Sequence, residues 1–477
     1  MERLLKQTIL LVLLAWMAAG CAVGPNFQRP AVNTPDQFRS APTVADQPSF
    51  ADLPWWRIFH DERLQWLISE ALANNYDLRI AVSRVEQARQ ISAQARSQFF
   101  PQISYDGAVA TGKNSFLGSD SPSGGKTQGS ALLDLSAFWE IDLWGRIRRL
   151  NEAALAQFLA TEEARRGVMI SLVSNVAQAY FELLQLDLAL DITKRSTQSF
   201  EDTLKLFTQR LEGGAASKLE TATAEAYLGA VAANVPELER QIVLKENQIN
   251  VLLGRNPGPV ERHAGLLEES LPPEVPPGLP SALLERRPDI RLAEQNLRTA
   301  NARVGVAMAD FFPSIGLTSL FGQVSPELSA FTSGSANLWA VAGNMTGPVF
   351  RGGLLVARYR QEKAIWEEAK LVYEQTALNA FQEVSNALIS RQKYAEVRAQ
   401  QARAVKAYQD AVDISLKRYN AGRTSYFEVL LNQQQLFPAE ILLAQTELNQ
   451  LNVVVQLYKA LGGGWQESET PAPAPNQ

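Results

Sequence analysis

The sequence predicts a mainly helical chain joined to a membrane β-barrel, built as a duplicated unit of long helices plus two strands per copy. Three observations predict it. Motifs recur in the same order about 210 residues apart. Two stretches of roughly 65 residues carry helical periodicity with no proline inside. Short segments alternate polar with apolar residues, while no apolar run beyond the N-terminus reaches the ~18 residues of a membrane helix. A chain that crosses a bilayer without such a helix must do so as a closed barrel, because hydrocarbon does not tolerate unpaired backbone groups.

Residues 1–20 read as a secretory signal peptide. Arg3 and Lys6 form a basic start, Thr8–Ala19 is almost unbroken apolar sequence, and Ala18, Ala19 and Gly20 are small residues suited to cleavage. Cys21 follows and is the only cysteine in 477 residues. An internal disulfide and a cysteine-based zinc site are thereby excluded. The small residues before Cys21 resemble a bacterial lipobox, in which the cysteine is diacylated and becomes the mature N-terminus. Ala22 in place of an aspartate then favours sorting to the outer membrane. Lipidation is expected at Cys21, and two or more acyl chains anchor stably where one does not. Residues 21–61 form the lipidated N-terminal segment.

The repeat marks two copies of one large unit, too long in period for a solenoid. Asp77-Leu78-Arg79-Ile80-Ala81 returns as Asp289-Ile290-Arg291-Leu292-Ala293, and Phe99-Phe100-Pro101 as Phe311-Phe312-Pro313, both 212 residues on. Arg210, Gly214, Ser217 and Glu220 return as Arg418, Gly422, Ser425 and Glu428, and Leu253-Gly254 as Leu461-Gly462, both 208 residues on. The first copy spans 62–254 and the second 280–462. The proline-rich stretch 255–279 links them, and 463–477 is expected as a flexible tail.

Each copy opens with a helix, Glu62 to Gln98 and Pro280 to Asp310, stopped by Pro101 or Pro313, which lack the amide a helix needs. Two strands follow. In copy one Ile103, Tyr105, Gly107 and Val109 alternate with polar or small residues, then Leu133, Leu135, Ala137, Trp139, Ile141 and Leu143 do so after a Gly/Ser-rich loop from Gly112 to Gly129. Copy two repeats the pattern from Ile315 to Phe321 and from Trp339 to Val349, around a loop from Ser325 to Ser335. The long helices come next, Arg146 to Arg210 and Leu354 to Arg418, with Val173, Val176, Ala177, Tyr180 and Leu184 as a packing seam. Glycine turns end them, and returning helices run from Ala216 to Leu253 and from Thr424 to Leu461, the first kinked or broken by Pro236.

Four strands cannot close a barrel, so the chain is expected to oligomerise; two, three or four copies all close a ring. Trp139, Trp144, Trp339, Tyr105 and Phe321 suit an outward aromatic girdle, and Asp106, Asp134, Glu140 and Asp142 a wet lumen. The 45 basic and 50 acidic residues give a net charge of −5, which excludes nucleic acid as the main partner. Arg146 to Arg149 read as an interfacial collar at a strand–helix junction. There is no phosphate-binding Gly-Lys-Ser/Thr loop, no HExxH pair and no GxSxG elbow, and His60 and His263 fall in loop segments. Neither enzyme activity nor a cofactor or metal is expected.

Several motifs together resemble the TolC-like outer-membrane efflux proteins, in particular the lipoprotein (NodT-like) subgroup of outer-membrane factors serving resistance-nodulation-division pumps. They are Cys21-Ala22-Val23-Gly24-Pro25-Asn26-Phe27, Trp55-Trp56-Arg57-Ile58-Phe59, Phe99-Phe100-Pro101, Ile141-Asp142-Leu143-Trp144-Gly145-Arg146, Arg286-Arg287-Pro288-Asp289-Ile290 and Arg418-Tyr419-Asn420-Ala421-Gly422. The resemblance implies a homotrimer with a 12-stranded β-barrel over a 12-helix α-barrel. It implies an equatorial layer from Ala22 to His60, Asn256 to Pro280 and the tail. It further implies a periplasmic adaptor protein, an inner-membrane pump and outer-membrane lipid as partners, and passive efflux as the function. A duct for type I protein secretion or metal-ion export, or a structural coiled-coil lipoprotein without a pore, stand as alternatives.

In such proteins the hairpin tips form the periplasmic entrance and meet the adaptor. Here the tips carry Arg210, Gly214, Ser217 and Glu220, and Arg418, Tyr419, Gly422, Ser425 and Glu428. The resemblance makes these the candidate gate and adaptor-contact residues. Relatives often place an aspartate ring just after the second tip; this chain has Leu431 followed by Asn432.

Overall fold

The computed structural model describes residues 22–40, 54–113, 127–214, 216–269, 278–325 and 336–463. The signal peptide, Cys21, the tail from 464 and the centres of both strand-connecting loops lie outside the described residues. In chain order come α1 (Trp55–Ile58), α2 (Glu62–Asn74), α3 (Tyr76–Ser97), β1 (Gln102–Lys113), β2 (Thr127–Ile141), α4 (Arg146–Glu212), α5 (Lys218–Ala232) and α6 (Asn234–Leu252). After the linker follow α7 (Leu283–Arg286), α8 (Pro288–Ala309), β3 (Ser314–Ser325), β4 (Asn337–Thr346), α9 (Leu354–Asn420) and α10 (Tyr426–Ala460). The repeat is carried into the elements almost residue for residue. α3 and α8 both have 22 residues, β1 and β3 both 12, and α4 and α9 both 67. At 1.5 Å per residue, each of the last two is about 100 Å long.

The opening helix of each copy is not continuous, as periodicity alone suggested. It breaks at Asn75 in copy one and at Arg287 in copy two. Arg287 precedes Pro288, whose ring disfavours helical backbone in the residue before it, and its φ of −75° and ψ of 121° are extended. Asn75 achieves the same break with its side chain. Its amide donates to the Leu252 carbonyl at 2.9 Å, and its carbonyl accepts from Leu78 N at 3.0 Å. Arg287 donates in the same way to the Ala460 carbonyl at 2.9 Å, while pairing with Asp289 and Glu383. Asn75 and Arg287 are 212 residues apart, Leu252 and Ala460 208. The two copies therefore tie the same two points together with different residues. The first returning helix is interrupted at Ala233, which places Pro236 in the first turn of α6, where a missing amide costs nothing. Pro438 lies inside α10, which runs unbroken.

The chain divides into two compact units. The first comprises residues up to Ala31, Arg84–Glu162 and Leu292–Glu374. It holds one antiparallel sheet in the order β1-β2-β3-β4. Cross-strand pairs such as Tyr105↔Leu135, Leu135↔Phe321 and Phe321↔Trp339 put the apolar alternates on one face. Among the described residues nothing covers them: Tyr105 is 78% exposed and Trp339 73%. The opposite face carries Ser104, Asp106, Asp134, Ser136 and Thr318, with a 2.8 Å hydrogen bond between the hydroxyls of Ser104 and Ser136. β1 and β4 are edges without a partner among the described residues.

Three expected strand residues have other work. Trp144 lies beyond the end of β2; it stacks on Phe312 at 4.6 Å and its indole N–H donates to the Pro313 carbonyl at 2.7 Å. Asp142 also lies beyond β2 and caps α4, accepting from Ile147 N and Arg148 N at 2.9 Å each. Glu140 remains on the polar face but is held by Arg146 through two hydrogen bonds of 2.9 and 2.6 Å. That bidentate pair raises the Arg146 pKa further. Part of the Arg146–Arg149 collar is thus consumed in fastening strand to helix.

The second unit comprises Val32–Ser83, Glu163–Arg291 and residues from Gln375 onward. Its core includes the expected seam of α4, with Val176, Ala177 and Tyr180 fully buried. One 18-residue window of α4 is apolar enough by length and composition to cross a membrane, contrary to the sequence reading, but 61% of it is buried inside the fold. Packing accounts for that apolarity. Asp61 caps α2 through Arg63 N and Leu64 N, and its other oxygen accepts the Tyr180 hydroxyl at 2.7 Å. Burial, then Asp61, pushes the Tyr180 pKa up.

Glu269 lies beside Asp61, and burial first, then that neighbour, pushes its carboxyl up to about 8 from an ordinary 4.5. A raised folded-state pKa gives stability that is complete below about pH 4.5 and is lost as pH rises through about 8. The melting temperature of detergent-solubilised protein should therefore fall across that window, and Glu269→Gln should flatten the decline. An unchanged slope in the variant would contradict the assignment.

Candidate functional site: the two helix-hairpin tips

The nine candidate tip residues fall on two hairpin turns of the second unit. At the first, α4 ends at Glu212 and Gly214 takes the left-handed φ of +73° that reverses the chain. Ser217 then opens α5 with a capping box: Glu220 N donates to Ser217 Oγ at 3.3 Å, and Ser217 N to Glu220 Oε2 at 2.7 Å. At the second, Gly422 has φ +69°. Its N–H donates to the Tyr419 carbonyl and Arg423 N to the Arg418 carbonyl, both at 2.9 Å, closing a Schellman turn. Ser425 occupies the cap position of α10 but makes no side-chain cap bond. Glu428 is instead engaged by the Thr424 hydroxyl and by Arg418 at 3.1 Å.

One pair of candidates joins the two hairpins. The Arg210 guanidinium lies 4.5 Å from the centre of the Tyr419 ring and donates to the Tyr419 hydroxyl. Tyr419 is buried and packs edge-on to Tyr426 at 5.0 Å, which packs edge-on to Phe207 at 4.5 Å. The Tyr426 hydroxyl meets the Thr203 hydroxyl and donates to Gln433 Oε1 at 3.4 Å, and the Gln433 amide donates to Ser199 Oγ at 2.9 Å. Phe200, Ala224, Val429 and Leu430 complete the cluster. Burial raises the pKa of both tyrosines, against the pull of Arg210 on Tyr419. Both hydroxyls therefore stay protonated at neutral pH.

Arg418 does not meet Tyr419's ring or Arg210. It is half exposed and pairs within its own hairpin with Glu428, a kind of contact worth about 0–1 kcal/mol. Glu220 likewise serves its own helix. The clasp residues Thr203, Phe207, Tyr426 and Gln433 were not singled out by the sequence. The available signal was a difference between copies: their repeat counterparts are Ala411, Ser415, Lys218 and Glu225. Leu431, where a carboxylate ring was in question, is nearly half exposed, and the neighbouring Phe427 is 70% exposed. Among the described residues no group of three or more His, Cys, Asp or Glu is placed to hold a metal ion. The contacts that join the two tips are non-covalent ones between helices.

Residues 67–255 and 279–463 match the family model described as outer membrane efflux protein. The chain is similar to the probable efflux pump outer membrane protein TtgC of Pseudomonas putida, 36% identical over 469 residues, with 97% of this chain and 96% of that protein covered. It is similar to the cation efflux system protein CusC of Escherichia coli, 33% identical over 457 residues, with 94% and 96% covered. Its fold is similar to the crystal structure of the open state of the MtrE outer membrane channel of Neisseria gonorrhoeae, with a TM-score of 0.85, 30% identity, and 94% and 100% of the two chains covered.

Proposed function

The chain belongs to the outer membrane efflux protein family, and from that premise we propose that it is the outer-membrane exit duct of a tripartite efflux pump, passively conducting drugs or other small molecules from periplasm to outside. One observation carries the reading. A sheet with an exposed apolar face and two edges that have no partner among the described residues is joined in sequence to helices of about 100 Å. Such a sheet is at rest only in lipid and only when closed on copies of itself. Three copies supply 12 strands and, from two hairpins each, a 12-helix periplasmic barrel. The hairpin tips then meet a periplasmic adaptor, and an inner-membrane resistance-nodulation-division pump supplies the energy.

The N-terminal segment supports lipid anchoring at Cys21. Val23 N donates to the Trp144 carbonyl at 2.9 Å, and the buried Arg149 guanidinium donates to the carbonyls of Val23 and Gly24 and to Asn26 Oδ1, at 3.2, 3.1 and 2.9 Å. A side chain on Gly145 would collide with Ala22, and one on Gly24 with Gly305. Residue 22 is thus pinned just beyond the end of β2, next in sequence to the proposed anchor.

The Arg210–Tyr419 clasp acts as a closing contact between hairpins, which an adaptor biases toward release.

Three measurements test these readings. In a host lacking its own exit duct, the chain should lower accumulation of a fluorescent drug only when an adaptor–pump pair is supplied. Failure with every pair, although the protein reaches the outer membrane, would sink the duct. In planar bilayers, Arg210→Ala with Tyr419→Phe should raise single-channel conductance, and an unchanged value would remove the clasp from gating. Growth with labelled palmitate should mark the wild type and leave Cys21→Ser unmarked; equal labelling would refute the anchor.

A further inference from the structure

The two strand–helix joints differ in charge. After β2, each acidic side chain is answered within the joint: Glu140 by Arg146, and Asp142 by two amides of α4 and by Arg148 at 3.1 Å. The positions 208 residues on carry Pro348 for Glu140, Phe350 for Asp142 and Arg351 for Leu143. Copy two thus has no carboxylate between Thr346 and Leu355 but gains a guanidinium. Arg351 is exposed, and among the described residues its side chain meets no carboxylate and makes no hydrogen bond.

Arg351 borders a cavity of about 400 Å³ that lies wholly within the first compact unit. Small-molecule sites have volumes of about 300–1,000 Å³. Three of the four strand residues in its wall, Glu140, Ser314 and Thr346, belong to the polar face of the sheet, so the cavity lies on that side. The carboxylates of the wall are all engaged: Asp310 pairs with Arg358 at 2.9 Å, beside the partners of Glu140 and Asp142. The rest of the wall is largely apolar. Trp144 stacks on Phe312 at 4.6 Å, its orientation fixed by the hydrogen bond to the Pro313 carbonyl, and Leu354 and Leu355 add aliphatic surface. One unanswered cation beside a pair of fixed rings selects an anion with a flat apolar body.

We propose that this cavity is a binding site for aryl carboxylates, with the carboxylate on Arg351 and the ring against the Trp144–Phe312 pair and the two leucines. A guanidinium presents parallel N–H donors that match a carboxylate, and an arene packs favourably on aromatic faces. An organic cation is disfavoured, because every carboxylate of the wall is already paired and the free charge is positive. A neutral arene gains the rings and leaves the guanidinium unanswered. On the polar face the site is a stopping point for acidic aromatic cargo along an exit path. That role rests on the duct reading; the binding itself does not.

Purified protein in lipid nanodiscs, titrated calorimetrically with 2-naphthoate, should show saturable binding. Arg351→Gln should weaken it about tenfold. Arg351→Lys should weaken it less, because lysine keeps the charge without the planar fork. 2-Naphthamide, of the same shape without the charge, should bind the wild type as weakly as 2-naphthoate binds the glutamine variant. Arg360→Gln removes an exposed cation of α9 outside the cavity and should change nothing. Arg351 supports no other side chain among the described residues, so its variants should melt at the wild-type temperature. No saturable binding to the wild type, equal binding by wild type and Arg351→Gln, or an equal loss in Arg360→Gln overturns the site. The drug-accumulation assay judges the duct separately. Lowered accumulation without 2-naphthoate binding strikes only the site, and binding with accumulation unchanged by every adaptor–pump pair strikes only the duct.

Discussion

An unpaired strand edge in hydrocarbon has no water to turn to, and each buried backbone group left unsatisfied costs several kcal/mol. β1 and β4, 12 and 10 residues long, are edges without a partner among the described residues, on a sheet whose exposed face is apolar. Much else about the chain follows from that constraint. Two strands per copy give an even count, and duplication gives a sheet wide enough that few chains close a ring. Register must be shared between every pair of neighbours, because a slip of one residue turns the apolar face inward.

The strand–helix junction is where two periodicities must be reconciled. A strand repeats every two residues and a helix every 3.6, so a rigid joint needs its own fastening. Asp142 supplies the cap that the first turn of α4 lacks, Glu140 and Arg146 bridge across the joint, and Trp144 stacks on Phe312 from the other copy. In copy two the positions of Asp142 and Trp144 are Phe350 and Gly352, and Phe350 is 87% exposed. Copy one thus closes its joint from within, and the N-terminal segment locks it through Arg149. Copy two leaves apolar surface at the same place. That difference follows from position: one joint lies at the seam inside the chain, the other at an edge.

The large architecture was legible because it rests on features that sequence carries directly. Proline stops, glycine turns, period two against period 3.6, and a repeat with steady offsets located the strands and long helices within a few residues. The breaks at Asn75 and Arg287 were not legible in the same way. Pro288 announces one of them, but Asn75 acts through a carbonyl 177 residues further along the chain. Periodicity also misplaced Trp144 and Asp142, since alternation continues past the point where pairing ends. At the tips, the turn glycines and the Arg210 and Tyr419 positions were visible. Their partners Tyr426 and Thr203 were not, because the repeat drew attention to what the copies share and the clasp is made where they differ.

The contacts between the two tips are made where the copies differ. Two equivalent hairpins would offer identical surfaces to each other, but Tyr419, Tyr426, Phe207 and Thr203 replace or face residues of different size in the other copy. The result is a directional contact inside one chain. A cation over an aromatic ring is worth about 0.5–2 kcal/mol, an edge-on aromatic pair about 0.5–1.5 and a neutral hydrogen bond about 0.5–1.5. One clasp therefore supplies a few kcal/mol between the two hairpins. A few kcal/mol is also within reach of a partner that binds the released form more tightly, which a hydrophobic core of the size buried along α4 is not. Apolar burial along α4 holds its helices together, whereas the two tips are joined by a few weaker contacts, which is the balance the proposed gate requires.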